Sequence, residues 1–181
     1  MRFWKTVTLL SALALSACAG EPLRTTPLSP QALRALAAVR VDPAGAAAML
    51  STYRASKGLG PVRLDPALNA MAQRQADAMV AANEMSHDAA GGFSSRLAAA
   101  GIDVAWAGEN IGGGYYSTGE AMQGWRESPE HNANLLKPQA TRFGIAIAKD
   151  ARTSLRVYWA MEVAAEAEKP RGVAALREVG Q

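Results

Sequence analysis

One cysteine, Cys18, is all that the chain carries in 181 residues, alongside two histidines and an aromatic fraction of 6%. With a single thiol no internal disulfide can form, and any fold must be held by its core alone. Bases do not cluster with interleaved aromatics anywhere, which removes the electrostatic footprint of a nucleic-acid partner. No apolar run is long enough for a permanent membrane span. Neither G-x-S-x-G nor H-E-x-x-H occurs, so the usual serine-hydrolase and zincin arrangements lack support. No internal repeat is visible. What the chain does have is 49% hydrophobic residues, which predicts one packed domain.

The N-terminus has the layout of a secretory signal over residues 1–17: Arg2 and Lys5, an apolar run from Val7 to Leu15, then small residues. Of the 19 Lys and Arg, these two lie in that leader, which leaves 17 bases against 16 acids and a nearly neutral body. The leader ends in Leu15-Ser16-Ala17-Cys18, which resembles the bacterial lipobox. That resemblance implies cleavage before Cys18, lipidation of its thiol and a membrane-attached mature protein. In a cell with two membranes, Ala19 after the Cys favours the outer one. Residues 18–30, with Pro22, Pro27 and Pro30 and no hydrophobic period, read as an extended tether.

Punctuation marks the elements of the body, expected over 31–166. Asp42-Pro43 opens one helix, stopped at Gly58. Asp65-Pro66 opens a longer one, with Leu68, Met71, Ala72, Met79 and Val80 in one stripe, ending near Met85. A short helix is predicted from Phe93 to Ala100, a fourth from the capping box Ser117/Glu120, and a turn of helix from Ser128-Pro129 through Asn134. The pattern then alternates. Phe143, Ile145 and Ile147, then Leu155, Val157, Trp159, Met161 and Val163, predict a β-hairpin with one buried face. Val104 to Ala107 predicts a further short strand. Helices followed by antiparallel strands give an α+β class with helices covering a sheet. Residues 167–181 read as a loosely attached tail.

His87 and His131, the two histidines, lie in polar turn or helix-start segments and outside any apolar stripe. Between them Glu109 sits in Gly108-Glu109-Asn110-Ile111-Gly112-Gly113-Gly114, where glycine flanks allow close approach of a ligand. Two imidazoles and a carboxylate are a ligand set for a catalytic zinc. Residues so far apart in sequence are, by themselves, more often surface histidines with a loop carboxylate. The glycine run lacks the Lys-Ser/Thr of a phosphate loop and reads as a flexible cleft rim. Tyr115 and Tyr116 flank it as a candidate apolar wall. Trp125 and Trp159 are assigned to the core, and Trp106 to core or wall.

Met85-Ser86-His87, Ala107-Gly108-Glu109-Asn110-Ile111, Trp125-x-x-Ser128-Pro-x-His131-x-x-Asn134-Leu135-Leu136, Phe143-Gly144-Ile145-Ala146 and Tyr158-Trp159 occur in that order. Together they resemble the CAP superfamily of cysteine-rich secretory, antigen 5 and pathogenesis-related 1 proteins, and its bacterial SCP-domain branch. The resemblance implies an α-β-α sandwich with a largely antiparallel central sheet. It also implies an open cleft whose His87, His131 and Glu109 are able to bind a divalent metal, commonly zinc; Asn110, Ser128 and Asn134 from the motifs, and Tyr115 and Tyr116 from their place beside the glycine run, are the candidate cleft residues around it. Plant and animal members carry a second cleft glutamate where this chain has Ser128. Glu127 and Glu130 are acidic neighbours of that place.

Two functions follow as expectations. One is a monomeric, lipid-anchored envelope domain whose cleft binds a lipid, a peptide or a cell-wall fragment. The other is a zinc-assisted hydrolase with Glu109 or Glu130 as the catalytic base. Glu109 cannot serve as metal ligand and base at once, and that favours binding.

Overall fold

The computed structural model describes residues 27–167. The signal, Cys18, most of the tether and nearly all of the tail lie outside the described residues. The chain order is α1 (Pro30–Ala38), α2 (Pro43–Ala55), β1 (Arg63–Leu64), α3 (Pro66–Ala82), α4 (Phe93–Ala99), β2 (Val104–Gly113), α5 (Thr118–Glu127), α6 (Pro129–Leu135), β3 (Arg142–Lys149) and β4 (Val157–Glu166).

The expected helix starts are present, and three of them carry a side-chain cap. Asp42 and Asp65 accept from the amides of Ala44 and of Ala67 and Leu68, and Ser117 accepts from Glu120. The same Ser-Pro device at Ser29-Pro30 opens α1, a helix that the tether reading passes over; Ser29 accepts from the Ala32 amide. Helix α3 stops three residues before Met85, because Asn83 turns left-handed at φ 50° and caps it.

The sheet has the order β1-β3-β4-β2. Its three long strands pair antiparallel as expected, while β1 adds two residues in parallel to β3 and makes the sheet mixed. Phe143, Ile145, Trp159, Met161 and Val163 pack on one face against Leu50, Met122, Trp125 and Leu135 of α2, α5 and α6. The other face, with Ala146, Ile111, Tyr158 and Ala160, packs against Ala72, Ala76 and Met79 of α3. Helix α4 closes the same side through Phe93 and Leu97. Trp125 and Trp159 are 1% and 0% exposed, core residues as expected.

The hairpin of β3 and β4 is present, but its single buried face is not. Strand β4 is buried on both faces from Val157 to Ala165. The reason lies at Gly144, where a Cβ would sit 2.4 Å from the backbone of Leu68 and Asn69, so α3 rides directly on the sheet. Asn69 even accepts a hydrogen bond from the Ile145 amide at 3.1 Å. Glu162, paired with Gly144 in register, is thereby sealed at 0% exposure.

Candidate functional site

Strand β2 is an edge strand, and the site is built on it. It runs well past the short strand expected and takes in Glu109, Asn110, Gly112 and Gly113, the last two paired with Trp159 and Tyr158. The glycine run is therefore ordered strand up to a turn at Gly114, φ 78°, and not a flexible rim. Gly108 serves packing: a Cβ there would meet Asn134 Oδ1 and the Trp106 ring at 2.7 Å each.

Alternation along β2 sends Glu109 and Asn110 to opposite faces. Glu109 points to the α3 and α4 side, where its register partner is Glu162. His87, in the turn after α3, comes to it: Nδ1 of His87 lies 2.7 Å from Glu109 Oε1. The His87 side chain is 56% exposed and that of Glu109 is 3% exposed. Behind them stands Arg96 of α4, its side chain 6% exposed, with Nη2 at 2.7 Å from Glu109 Oε2 and Nη1 at 3.6 Å from Glu162 Oε1. These are ionic contacts without aligned hydrogen bonds. Arg96 Nη1, Glu109 Oε2 and both Glu162 oxygens have no hydrogen-bond partner among the described residues. Burial first, and the Glu109 charge second, push the Glu162 carboxyl well above the usual range, with Arg96 pulling the other way.

The turn that carries His87 is tied from below. Its carbonyl accepts from Gln75 Nε2 at 3.2 Å and from Arg96 Nη2 at 3.0 Å. Gln75, fully buried on α3, also donates to Ser86 O and accepts from the Ala90 amide.

On the other face of β2, α6 delivers His131. Asn110 donates from Nδ2 to His131 O at 3.0 Å and accepts from Asn134 Nδ2 at 2.8 Å; Asn134 Nδ2 also donates to Glu109 O at 3.1 Å. Ser128, extended because Pro129 follows it, joins α5 to α6 and makes no side-chain cap bond. Its Oγ instead lies 2.8 Å from His131 Nδ1. Burial chiefly, and the proximity of His87 secondarily, hold the His131 imidazole below its ordinary value, against the pull of Glu130. Arg54, buried in α2, donates to the carbonyls of Leu135, Lys137 and Ala140 and so fixes the end of α6.

The two histidines, Glu109, Asn110, Ser128 and Asn134 are thus linked by a chain of side-chain and backbone contacts. The remaining candidates stand apart from it. Tyr115 is half-buried over Gly112 and Gly124, where its ring and hydroxyl leave no room for a Cβ, and its carbonyl accepts from Trp159 Nε1. Tyr116 is 37% exposed, its amide donating to Glu120. Glu127 accepts from Gln123, and Glu130 is exposed on the first turn of α6. Among the described residues no group of three His, Cys, Asp or Glu side chains is gathered as a metal site.

The family model of the cysteine-rich secretory proteins, CAP, matches residues 47–163, the span that contains every residue of this constellation. The chain belongs to the CAP family. The Bacillus subtilis protein YkwD is 28% identical to this CAP chain over 99 residues, 54% of this chain and 38% of YkwD. A Bacillus anthracis extracellular protein containing an SCP domain superposes with a TM-score of 0.60 at 22% identity, covering 78% of this chain and 45% of that one. An outer surface protein of Borrelia burgdorferi gives 0.59 at 16% identity, over 66% of this chain and 89% of its own. The chain therefore spans less than half of the two Bacillus relatives.

Three residues of this CAP site are missing from the sequence reading: Gln75, Arg96 and Glu162. The only signal they carry is polarity inside segments otherwise apolar or helical.

Proposed function

We propose that this chain is an exported bacterial envelope protein, anchored by lipid on Cys18, whose cleft at His87, Glu109 and His131 binds a lipid, a peptide or a cell-wall-derived ligand without cleaving it. One observation carries the choice of binding over hydrolysis. Both oxygens of Glu109 face protein partners, His87 and Arg96, at 2.7 Å each. A carboxylate so engaged is not a free general base, and Glu130 stands exposed at the start of α6. Envelope location draws support from the extracellular and outer-surface relatives.

A divalent ion suits the same site. Each imidazole has its Nδ1 engaged, one by Glu109 and one by Ser128, an arrangement common behind metal-bound histidines. The Nε2 atoms of His87 and His131 would hold the ion, and Glu109 would support His87 from behind instead of ligating. Bound there, the ion supplies a Lewis-acid centre for an anionic or carbonyl group of the ligand. The lowered proton affinity of His131 keeps its ring neutral and suited to such a role.

The test uses defined probes: muropeptides, a peptide library and phospholipid vesicles, each with and without zinc. Retention of one class intact, weakened about tenfold or more in His87→Ala and His131→Ala, supports the reading. Zinc-dependent turnover of any probe, lost in folded Glu109→Gln, overturns it in favour of a hydrolase.

A further inference from the structure

Two carboxyl groups and one guanidinium lie buried together under His87. Buried ionic clusters of this kind are commonly matched or exceeded by apolar residues of the same volume. Here Glu109 is 8%, Arg96 7% and Glu162 0% exposed, on three different elements, and four of their polar atoms lack a hydrogen-bond partner among the described residues. The cluster meets the surface through the exposed side chain of His87.

Arg96 holds that histidine directly at its carbonyl and reaches its ring through Glu109. Its Nη2 donates to the His87 carbonyl at 3.0 Å and lies 2.7 Å from Glu109 Oε2, while Glu109 Oε1 meets His87 Nδ1 at 2.7 Å. Its Nε donates to Gly91 O at 2.9 Å, which closes the turn that carries His87. One guanidinium thus fixes both the backbone from which the ring hangs and the carboxylate on which the ring rests. Glu162 stands beside the other nitrogen, its Oε1 at 3.6 Å from Nη1.

We propose that Arg96, with Glu162 beside it, is the positioning residue of the site: it holds the Glu109 carboxylate so that His87 keeps its proton on Nδ1 and presents a bare Nε2 to the cleft. Free neutral imidazoles favour the opposite tautomer. A carboxylate accepts only, so the Nδ1 of His87 must donate to it. In that tautomer the Nε2 lone pair is left for a cation or an acidic proton of the ligand. The inference rests on the reading of His87 as a binding group, but its readout needs neither ligand nor metal.

Long-range proton–nitrogen spectra of the full chain, metal-free at neutral pH and labelled at histidine, give two imidazole patterns to read. In the wild type His87 should show a pyrrole-type Nδ1 and a pyridine-type Nε2; the reverse pattern overturns the proposal at once. In Arg96→Lys, which keeps the charge and loses the fork, the pyridine-type signal should move to Nδ1 or average over both nitrogens, with His131 unchanged. In the double variant R96M/E162M, which removes the guanidinium together with the carboxyl beside it and so leaves neither of that pair stranded, His87 should lose the tautomer while the fold is kept. A wild-type His87 pattern in Arg96→Lys, or in the folded double variant, overturns the proposal and leaves Arg96 a structural ion. Zinc binding at His87 and His131 would survive that failure, so the two readings fail separately.

Discussion

The two histidines of the site are moored in opposite ways. His87 rests on ionic groups, Glu109 with Arg96 and Glu162 behind it, while its turn hangs from Gln75 and the same arginine. His131 rests on neutral ones, Ser128 at its ring and Asn110 at its carbonyl, with Asn134 bridging to β2. The ionic mooring is rigid and costly to break, because each partner lost strands a buried charge. The neutral mooring loses only hydrogen bonds, each worth about 1 kcal/mol net unless a buried partner is left unpaired. The two imidazoles therefore differ in what disturbs them: charge for His87, geometry for His131.

Breaking the ionic side should have the largest effect. Arg96→Met strands two buried carboxyl groups and should cost about 3–5 kcal/mol, seen in denaturant unfolding; a loss under 1 kcal/mol would put the neutral mooring on equal terms. Asn110→Ala, the central cut on the other side, should cost about 1–3 kcal/mol, since it takes the side-chain donor from His131 O and one of the two acceptors from Asn134 Nδ2. Removing the second carboxyl should act in the reverse sense. Its raised folded value means that Glu162 favours the fold fully below about pH 4.3 and loses that contribution as pH rises through the folded value. Glu162→Gln should therefore gain on the wild type as pH increases, and stability curves of the two that run parallel from pH 5 to 9 would contradict the assignment. His131 has the opposite sign: with its folded value lowered, its contribution is intact above about pH 6.5 and declines as pH falls. Ser128→Ala should have the smallest effect on the fold, under about 0.5 kcal/mol, because the serine makes no cap bond. It should still shift the His131 ring signals and leave those of His87 in place.

The neutral side was the more legible in sequence. Asn110, Ser128, His131 and Asn134 all fall inside recognisable motifs, and Pro129 dictates the bend that brings Ser128 to the ring. Of the ionic side only His87 and Glu109 were legible. Arg96 reads as a solvated charge on a short helix until Phe93 and Leu97 are seen to pack inward and turn it under the turn of His87. Glu162 reads as the open face of a hairpin, because the alternation of Val157, Trp159, Met161 and Val163 gives no hint that the alternate residues are covered too. What covers them is α3, and only the missing side chain at Gly144 lets it come close enough. The reading of Gly112 and Gly113 went astray for the converse reason: glycines that look like freedom in sequence are paired strand residues here. Tyr115, next to that run in sequence, packs on Gly112 and Gly124.

Calorimetric titration of the metal-free chain with zinc tests most directly that the site presents two imidazole nitrogens with Glu109 behind one of them. One site is predicted, abolished in His87→Ala and in His131→Ala, and weakened about 10–100-fold but retained in Glu109→Gln, as expected for a supporting carboxylate. Binding undiminished in the double histidine variant, or abolished in folded Glu109→Gln as completely as in His87→Ala, would contradict it.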